Sequence, residues 1–220
     1  MRALARTPCA TMGCHVHRPM LDVYATALIR RPVTAAARQL ARWGISANSV
    51  TLAGFALGMF AAFLIAKERY LAGVLAIFSS RLLDALDGAV ARQGQPTDAG
   101  GFLDIALDFL FYASIPLAFA LADPTRNALP AAVLLAAFMG TSSSFLAFAA
   151  LAAKRGLNST AYPDKSIYFL GGLTEATETL ACFAAMCLWP QHFAALAYGF
   201  ASLCAITIAT RLWWGWRALS

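Results

Sequence analysis

The chain is 220 residues long, 60% hydrophobic and 13% charged, which excludes a disordered segment and leaves little polar surface for an ordinary soluble domain. A formal net charge of +6 would point to nucleic acid in a soluble protein. Here the basic residues stand beside apolar runs, with seven arginines ahead of the first, so the charge reads as attraction to anionic lipid and no nucleic-acid partner is expected.

Residues 1–31 read as a flexible basic tail without the apolar core of a secretory signal. Cys9, Cys14, His15 and His17 match no metal-ligand spacing, and the odd total of five cysteines argues against a disulfide framework. Cys182, Cys187 and Cys204 lie in apolar runs and read as small core residues. A short helix is expected over 32–43, with Pro32 at its first position. Val33, Ala36, Ala37 and Leu40 share one face and Arg31, Arg38 and Arg42 another, the pattern of an amphipathic helix lying in the membrane interface. Gly44 ends it, and Ser46 or Asn48 caps the next helix.

Six spans follow, over 49–66, 70–90, 101–121, 129–153, 166–188 and 193–214, each close to the roughly 20 residues a bilayer requires. The expected fold is therefore all-α: a polytopic membrane protein of six transmembrane helices preceded by the interfacial helix, with residues 32–220 as one domain. A soluble helical bundle is the alternative that the repeated long apolar runs argue against. Arg92, Lys154, Arg155, Lys165, Arg211 and Arg217 join the N-terminal arginines on one side, against Lys67, Arg69 and Arg126 on the other, so both termini are expected in the cytoplasm. Trp213, Trp214 and Trp216 form an interfacial belt.

The second and third spans carry Asp84, Asp87, Asp104 and Asp108. A carboxylate at membrane depth is costly and normally marks a functional site. Asp84 and Asp87 are three residues apart and Asp104 and Asp108 four, so each pair occupies one helix face. A hairpin folding about Pro96 brings Asp87 and Asp104 to similar depth, and if the faces meet, four carboxylates converge. So close together they would repel unless a divalent cation neutralised them; hard oxygen ligands suit Mg²⁺, Mn²⁺ or Ca²⁺. Such a cluster can hold two metal ions about 3.5–4 Å apart, an arrangement that stabilises phosphoryl displacement. Gly88 and Ala91 keep the neighbouring helix face thin, and Arg92 can pair with phosphate oxygens.

The run DALDGAVARQGQPTDAGGFLDIALD, residues 84–108, resembles the signature of the CDP-alcohol phosphatidyltransferases. The fixed positions are Asp84, Asp87, Gly88, Ala91, Arg92, Gly100, Asp104 and Asp108. The resemblance implies an integral membrane enzyme of phospholipid synthesis. It would transfer a phosphatidyl group from CDP-diacylglycerol, or a related CDP-alcohol, to an acceptor hydroxyl and release CMP. Asp84, Asp87 and Asp104 match ligands of a two-metal Mg²⁺ or Mn²⁺ site. Asp108 matches the residue that binds the second metal and takes the acceptor's proton. Gly88, Ala91 and Arg92 fall in the nucleotide-diphosphate contact region, Asn48 and Thr51 match donor contacts on the first span, and Thr97 matches a loop contact. A homodimer is implied in the same way, in the cell inner membrane, and the basic residues put the site with the termini on the cytoplasmic side.

Other readings stand beside these. Asn48 could be a helix cap alone, and Arg81, one turn before Asp84, reads as a simple counter-charge. Glu175 and Glu178 could line an acceptor cavity or sit near a loop. Lys154, Arg155 and Lys165 could bind an acceptor phosphate or be ordinary positive-inside charges. Gly54 with Gly58 reads as close helix packing. An intramembrane prenyltransferase would release pyrophosphate rather than CMP, and a cation transporter would usually carry internal repeats, which the sequence lacks. The acceptor alcohol is not legible in the sequence.

Overall fold

The structure is a computed structural model that describes residues 21–94, 97–155 and 174–220, with backbone only for 21–31. These residues form seven α-helices and no strand: α1 Leu21–Arg42, α2 Ala47–Ala66, α3 Tyr70–Ala91, α4 Asp98–Ala122, α5 Pro124–Lys154, α6 Ala176–Leu188 and α7 Phe193–Leu219. A 3₁₀ turn, Pro190–His192, leads into α7. The all-α expectation holds. Four elements, Ala47–Ala66, Asp98–Ala122, Pro124–Lys154 and Pro190–Leu219, are long and apolar enough to cross a membrane. α3 has the length, but Arg81, Asp84 and Asp87 reduce its apolar character, and the described part of α6 is 13 residues long. The start expected for the fifth span falls in 156–173, outside the described residues.

One boundary is corrected. The first helix begins at Leu21, not Pro32, so residues 21–31 are helical and Pro32 lies inside α1. A proline there deletes one backbone donor and crowds the preceding turn. The Ala- and Leu-containing run ahead of it, free of glycine, carries helix propensity through the defect. The helix ends as expected at Gly44, whose φ of 74° admits the N–H of Ile45 to the carbonyl of Leu40. Val33 and Ala37 are buried against Ala89 and Val90 of α3, while Arg38, Arg42 and also Ala36 are exposed.

Ser46 takes the cap of α2, its hydroxyl accepting the Ser49 N–H at 3.2 Å. That leaves Asn48 free of capping duty. Asp123 separates α4 from α5 by a single residue: its carboxylate accepts from the Arg126 N–H at 3.2 Å and Pro124 opens the new helix. α5 therefore starts five residues earlier than the expected boundary at 129.

α2 packs on α3 and α4, α4 on α5, and α5 on α7. In lipid, apolar burial alone contributes little, so close packing has to hold the bundle. At the end away from the acidic motif, Phe119 of α4 stacks between Tyr70 of α3 (5.6 Å) and Phe193 of α7 (4.5 Å). In the middle, Gly58 of α2 lies under Phe111 of α4, and the Ser80 hydroxyl donates to the Gly54 carbonyl at 2.7 Å. Small residues thus bring α2, α3 and α4 together directly beneath the acidic residues.

Candidate active site

α3 and α4 approach the motif end with their acidic faces turned toward each other. Asp84, Asp87 and Asp104 each offer a carboxylate oxygen, and the three oxygens lie within 4.8 Å of one another. Two turns of α3 and one of α4 thus meet at common depth, as the i, i+3 spacing and the hairpin require. Asp87 is buried, Asp84 half-buried and Asp104 exposed. The cluster is closed on one side and open on the other.

Asp108 stands next to the three. Its Oδ1 is ion-paired with Nη1 of Arg81, and the same nitrogen lies 3.4 Å from Asp84. One nitrogen of Arg81 thus meets a carboxylate from each helix, and Asp108 stands beside the three across it. Arg81 stands one turn before Asp84 and supplies a cation to both Asp84 and Asp108. Its guanidinium lies on the face of Phe111, 4.0 Å from the ring centroid, and Nη2 donates to the Ser80 hydroxyl at 3.3 Å.

The residues expected to hold a nucleotide fall on the first turns of α2, the last turns of α3 and the start of α4. Thr51 is buried, donates to the Ala47 carbonyl at 3.0 Å, and is within hydrogen-bonding reach of Asp87. The Asn48 side-chain oxygen lies 3.0 Å from where a Cβ on Gly100 would stand, so a bare backbone there lets α2 and the start of α4 touch. Thr97 caps α4, accepting the Gly100 N–H at 3.1 Å. A Cβ on Gly88 would meet only Nη1 of Arg92, at 3.3 Å, so the exposed Arg92 folds over Gly88. Ala91 is half-buried on the same helix end.

These residues fit a divalent cation. Three carboxylate oxygens form a hard donor set, and Oδ2 of Asp87 is buried without any hydrogen-bond partner. An orphaned anionic oxygen inside the structure is costly unless something positive meets it.

A second feature opens beside Asp108. A cavity of ≈ 640 Å³ lies between α4, α5, α6 and α7, with Asp108 at one edge and Arg211, Thr141, Ser142, Glu175 and Thr179 among its polar lining. Much of the remaining wall is apolar, including Phe138, Met139 and Leu146. Arg211 is only 8% exposed, donates from Nη1 to the Thr141 carbonyl at 3.1 Å, and leaves Nε without a partner. Sequence reading took Arg211 for a tail charge. The signal that finds it is the inward stripe of α7, Ala197, Ala201, Cys204 and Thr207, which Arg211 continues at helical spacing. Glu175 and Glu178 prove to sit at the start of α6, where the Glu178 carboxylate accepts the Glu175 N–H at 3.1 Å. Lys154 and Arg155 end α5 in exposed positions, and Lys165 lies outside the described residues.

A family model described as CDP-alcohol phosphatidyltransferase matches residues 44–213. The chain belongs to the CDP-alcohol phosphatidyltransferase family. It is 50% identical over 200 residues to the inner membrane protein YnjF of Escherichia coli, covering 91% of this chain and 97% of that one. It is also 36% identical over 100 residues to an archaetidylinositol phosphate synthase of Pyrococcus horikoshii, covering 44% of this chain and 53% of that one. Among solved structures, the phosphatidylinositol phosphate synthase of Mycobacterium tuberculosis with CDP-DAG bound superposes with a TM-score of 0.69 at 24% identity, over 84% of this chain and 94% of that one. The same enzyme in complex with manganese and citrate gives 0.65 at 24% identity, over 84% and 88%. Family membership makes the protein a transferase of phospholipid biosynthesis with membrane helices, and favours neither the prenyltransferase nor the transporter.

Proposed function

We propose that the chain is an integral inner-membrane enzyme that transfers a phosphatidyl group from CDP-diacylglycerol, or a related CDP-alcohol, to an acceptor hydroxyl. The observation that carries this reading is the meeting of Asp84, Asp87 and Asp104 from two helices within the family-matched region. The relative named as an inner membrane protein supports the location, and the relative solved with CDP-DAG supports the donor. Six spans, an interfacial α1, cytoplasmic termini and site, and a homodimer all belong to this reading. The excess of basic residues at the motif end supports its orientation.

Asp84, Asp87, Asp104 and Asp108 would hold two Mg²⁺ or Mn²⁺ ions, which would neutralise the charge of a diphosphate. Asn48, Thr51, Gly88, Ala91, Arg92 and Thr97 then line the nucleotide's place, with Arg92 presenting donors to phosphate oxygens and the bare Gly88 letting them come close to the helix. Asp108 receives the proton of the acceptor hydroxyl at its carboxylate. The freed oxygen forms a bond to the phosphorus of the phosphatidyl group, and the bond from that phosphorus to CMP breaks, the electron pair leaving with CMP. The acceptor's place is the cavity beside Asp108. Arg211, buried and with Nε unpartnered there, suits an acceptor carrying an anionic group such as a phosphate ester.

The test is direct. Purified protein with Mg²⁺ or Mn²⁺ and labelled CDP-diacylglycerol is incubated with a panel of alcohols, and the lipid formed is identified by mass spectrometry. CMP release with a new phospholipid is expected, strongest for phosphorylated acceptors. No CMP from any CDP-alcohol across the panel would refute the reading.

A further inference from the structure

The cavity beside Asp108 changes character with depth. α4 runs away from the motif end, so Phe109, Tyr112 and Ala113 lie deeper than Asp108. α5 runs back toward that end, so Leu135, Phe138 and Met139 lie deeper than Thr141 and Ser142. From the level of Asp108 inward, the walls given by α4 and α5 are therefore apolar apart from the Tyr112 hydroxyl. On the α6 side the Thr179 hydroxyl donates to the Glu175 carbonyl at 2.8 Å. α5 is fitted closely to α7: a Cβ on Gly140 would stand 2.5 Å from Cδ1 of Ile208, and one on Gly215 would stand 3.2 Å from Cδ2 of Phe148. The cleft lies on the other side of α5, toward α4. Met139, 70% exposed, stands at the middle of the 31-residue α5, so the cleft reaches the outer surface of the bundle halfway along a span.

We infer that the acceptor is an anionic amphiphile: a phospholipid with a free hydroxyl on its headgroup, entering sideways from the bilayer between α4 and α5. The inference rests on the transferase reading above and names the class of alcohol it uses. A cavity of ≈ 640 Å³ has room for about twenty waters. A small polar alcohol beside Asp108 would leave the inner part to water that finds few polar partners there. Acyl chains of the donor alone fail in the opposite way, because they would seat hydrocarbon against the buried Arg211, whose Nε has no partner. An occupant with a charged head and an apolar body satisfies both ends. Charge selects the head. Among the described lining residues Arg211 is the one cation, and Asp108 and Glu175 are the carboxylates. A phosphodiester brings a single negative charge, whereas a phosphate monoester brings about 1.5–2 and meets those carboxylates with the surplus. In the transfer, the headgroup hydroxyl gives its proton to Asp108 and its oxygen bonds to the phosphorus of the phosphatidyl group. CMP leaves with the electron pair of the broken bond, and the product carries two phosphatidyl groups on one polyol.

The experiment sets each lipid against its own headgroup. Purified full chain in phosphatidylcholine vesicles receives Mg²⁺ and labelled CDP-diacylglycerol. The acceptors are phosphatidylglycerol and phosphatidylinositol in the same vesicles, their deacylated forms in solution, and glycerol 3-phosphate and inositol phosphate. At least one lipid is expected to show a kcat/KM about tenfold or more above its deacylated form and above both monoesters, the lower end of what an apolar pocket discriminates. Ala113→Leu, which fills the inner part of the cleft, should raise the KM for that lipid by about tenfold and leave the KM for CDP-diacylglycerol unchanged. A rise shared equally by both substrates would give the cleft to the donor's chains; that outcome, or no rise at all, overturns the inference. So does a deacylated form or a monoester used as well as the lipid. If Ala113→Leu does not fold, the comparison of acceptors in the wild type decides alone. CMP formed with soluble acceptors only overturns this inference and leaves the transferase reading standing, whereas CMP formed with no acceptor overturns both.

Discussion

Phe111 of α4 rests on the bare backbone of Gly58 in α2: a Cβ there would stand 2.6 Å from Cδ2 of the ring. That contact is too short to survive, and Phe111 is fully buried with the Arg81 guanidinium over its ring. Gly58→Ala is expected to displace the ring and cost about 1–3 kcal/mol, the usual penalty of overpacking. The check is the thermal midpoint in detergent against wild type. Gly199→Ala is the control, because a Cβ there meets nothing within 4 Å.

Asp84→Asn, Asp87→Asn and Asp104→Asn each remove one oxygen ligand from the cluster. Each is expected to weaken Mn²⁺ binding by at least about tenfold and to abolish CMP release. Asp108→Asn should instead keep metal-dependent donor binding and lose about 10²–10⁴-fold in turnover, the usual contribution of a positioned acid or base. Equilibrium binding of labelled CDP-diacylglycerol beside turnover separates the two classes.

Arg211→Gln tests the cavity. Its buried guanidinium is about 1.5–3 kcal/mol of charge-assisted hydrogen bonding in reserve for an anionic acceptor. The variant should raise the acceptor KM by roughly tenfold or more, in line with that energy, and leave the donor KM unchanged. An equal effect on both substrates would assign Arg211 to the bundle's packing instead.

Asp123 lies outside the spans, at the junction of α4 and α5. Hydrogen bonds from the Thr125 hydroxyl and the Arg126 N–H hold its carboxyl below the usual carboxylate range. A depressed folded value contributes stability that is present above the ordinary carboxylate pKa near 4 and is lost as pH falls through the lower folded value. Asp123→Ala should lower the thermal midpoint at neutral pH, and the difference from wild type should shrink as the pH is taken below about 4. Thermal scans over that range read it.

The spacing of the acids made most of the site legible. Two carboxylates on one face of each helix, joined by a short hairpin, have almost nowhere to go but toward each other. Helix ends were legible where a backbone signal exists, as at Gly44 and Ser46. The start of α1 was hidden because Pro32 mimics an N-terminal proline, and local sequence does not say when flanking propensity overrides it. Arg81 was correctly read as a counter-charge, but its second partner is on α4, and contacts between helices leave no local trace. Arg211 was misread for a related reason: a basic residue near the end of the chain looks like a membrane-surface charge until the inward stripe of α7 is traced.

The aromatic stack of Tyr70, Phe119 and Phe193 ties three helices together at the pole opposite the acids. The scaffold thus has a fixed base and a working rim. Substitutions at the base should be felt as brittleness of the whole molecule, whereas changes along the rim beside α5, α6 and α7 would, in the reaction proposed above, retune which alcohol is accepted without loosening the grip on the nucleotide. Such a division lets one framework diversify its products while its founding chemistry stays put.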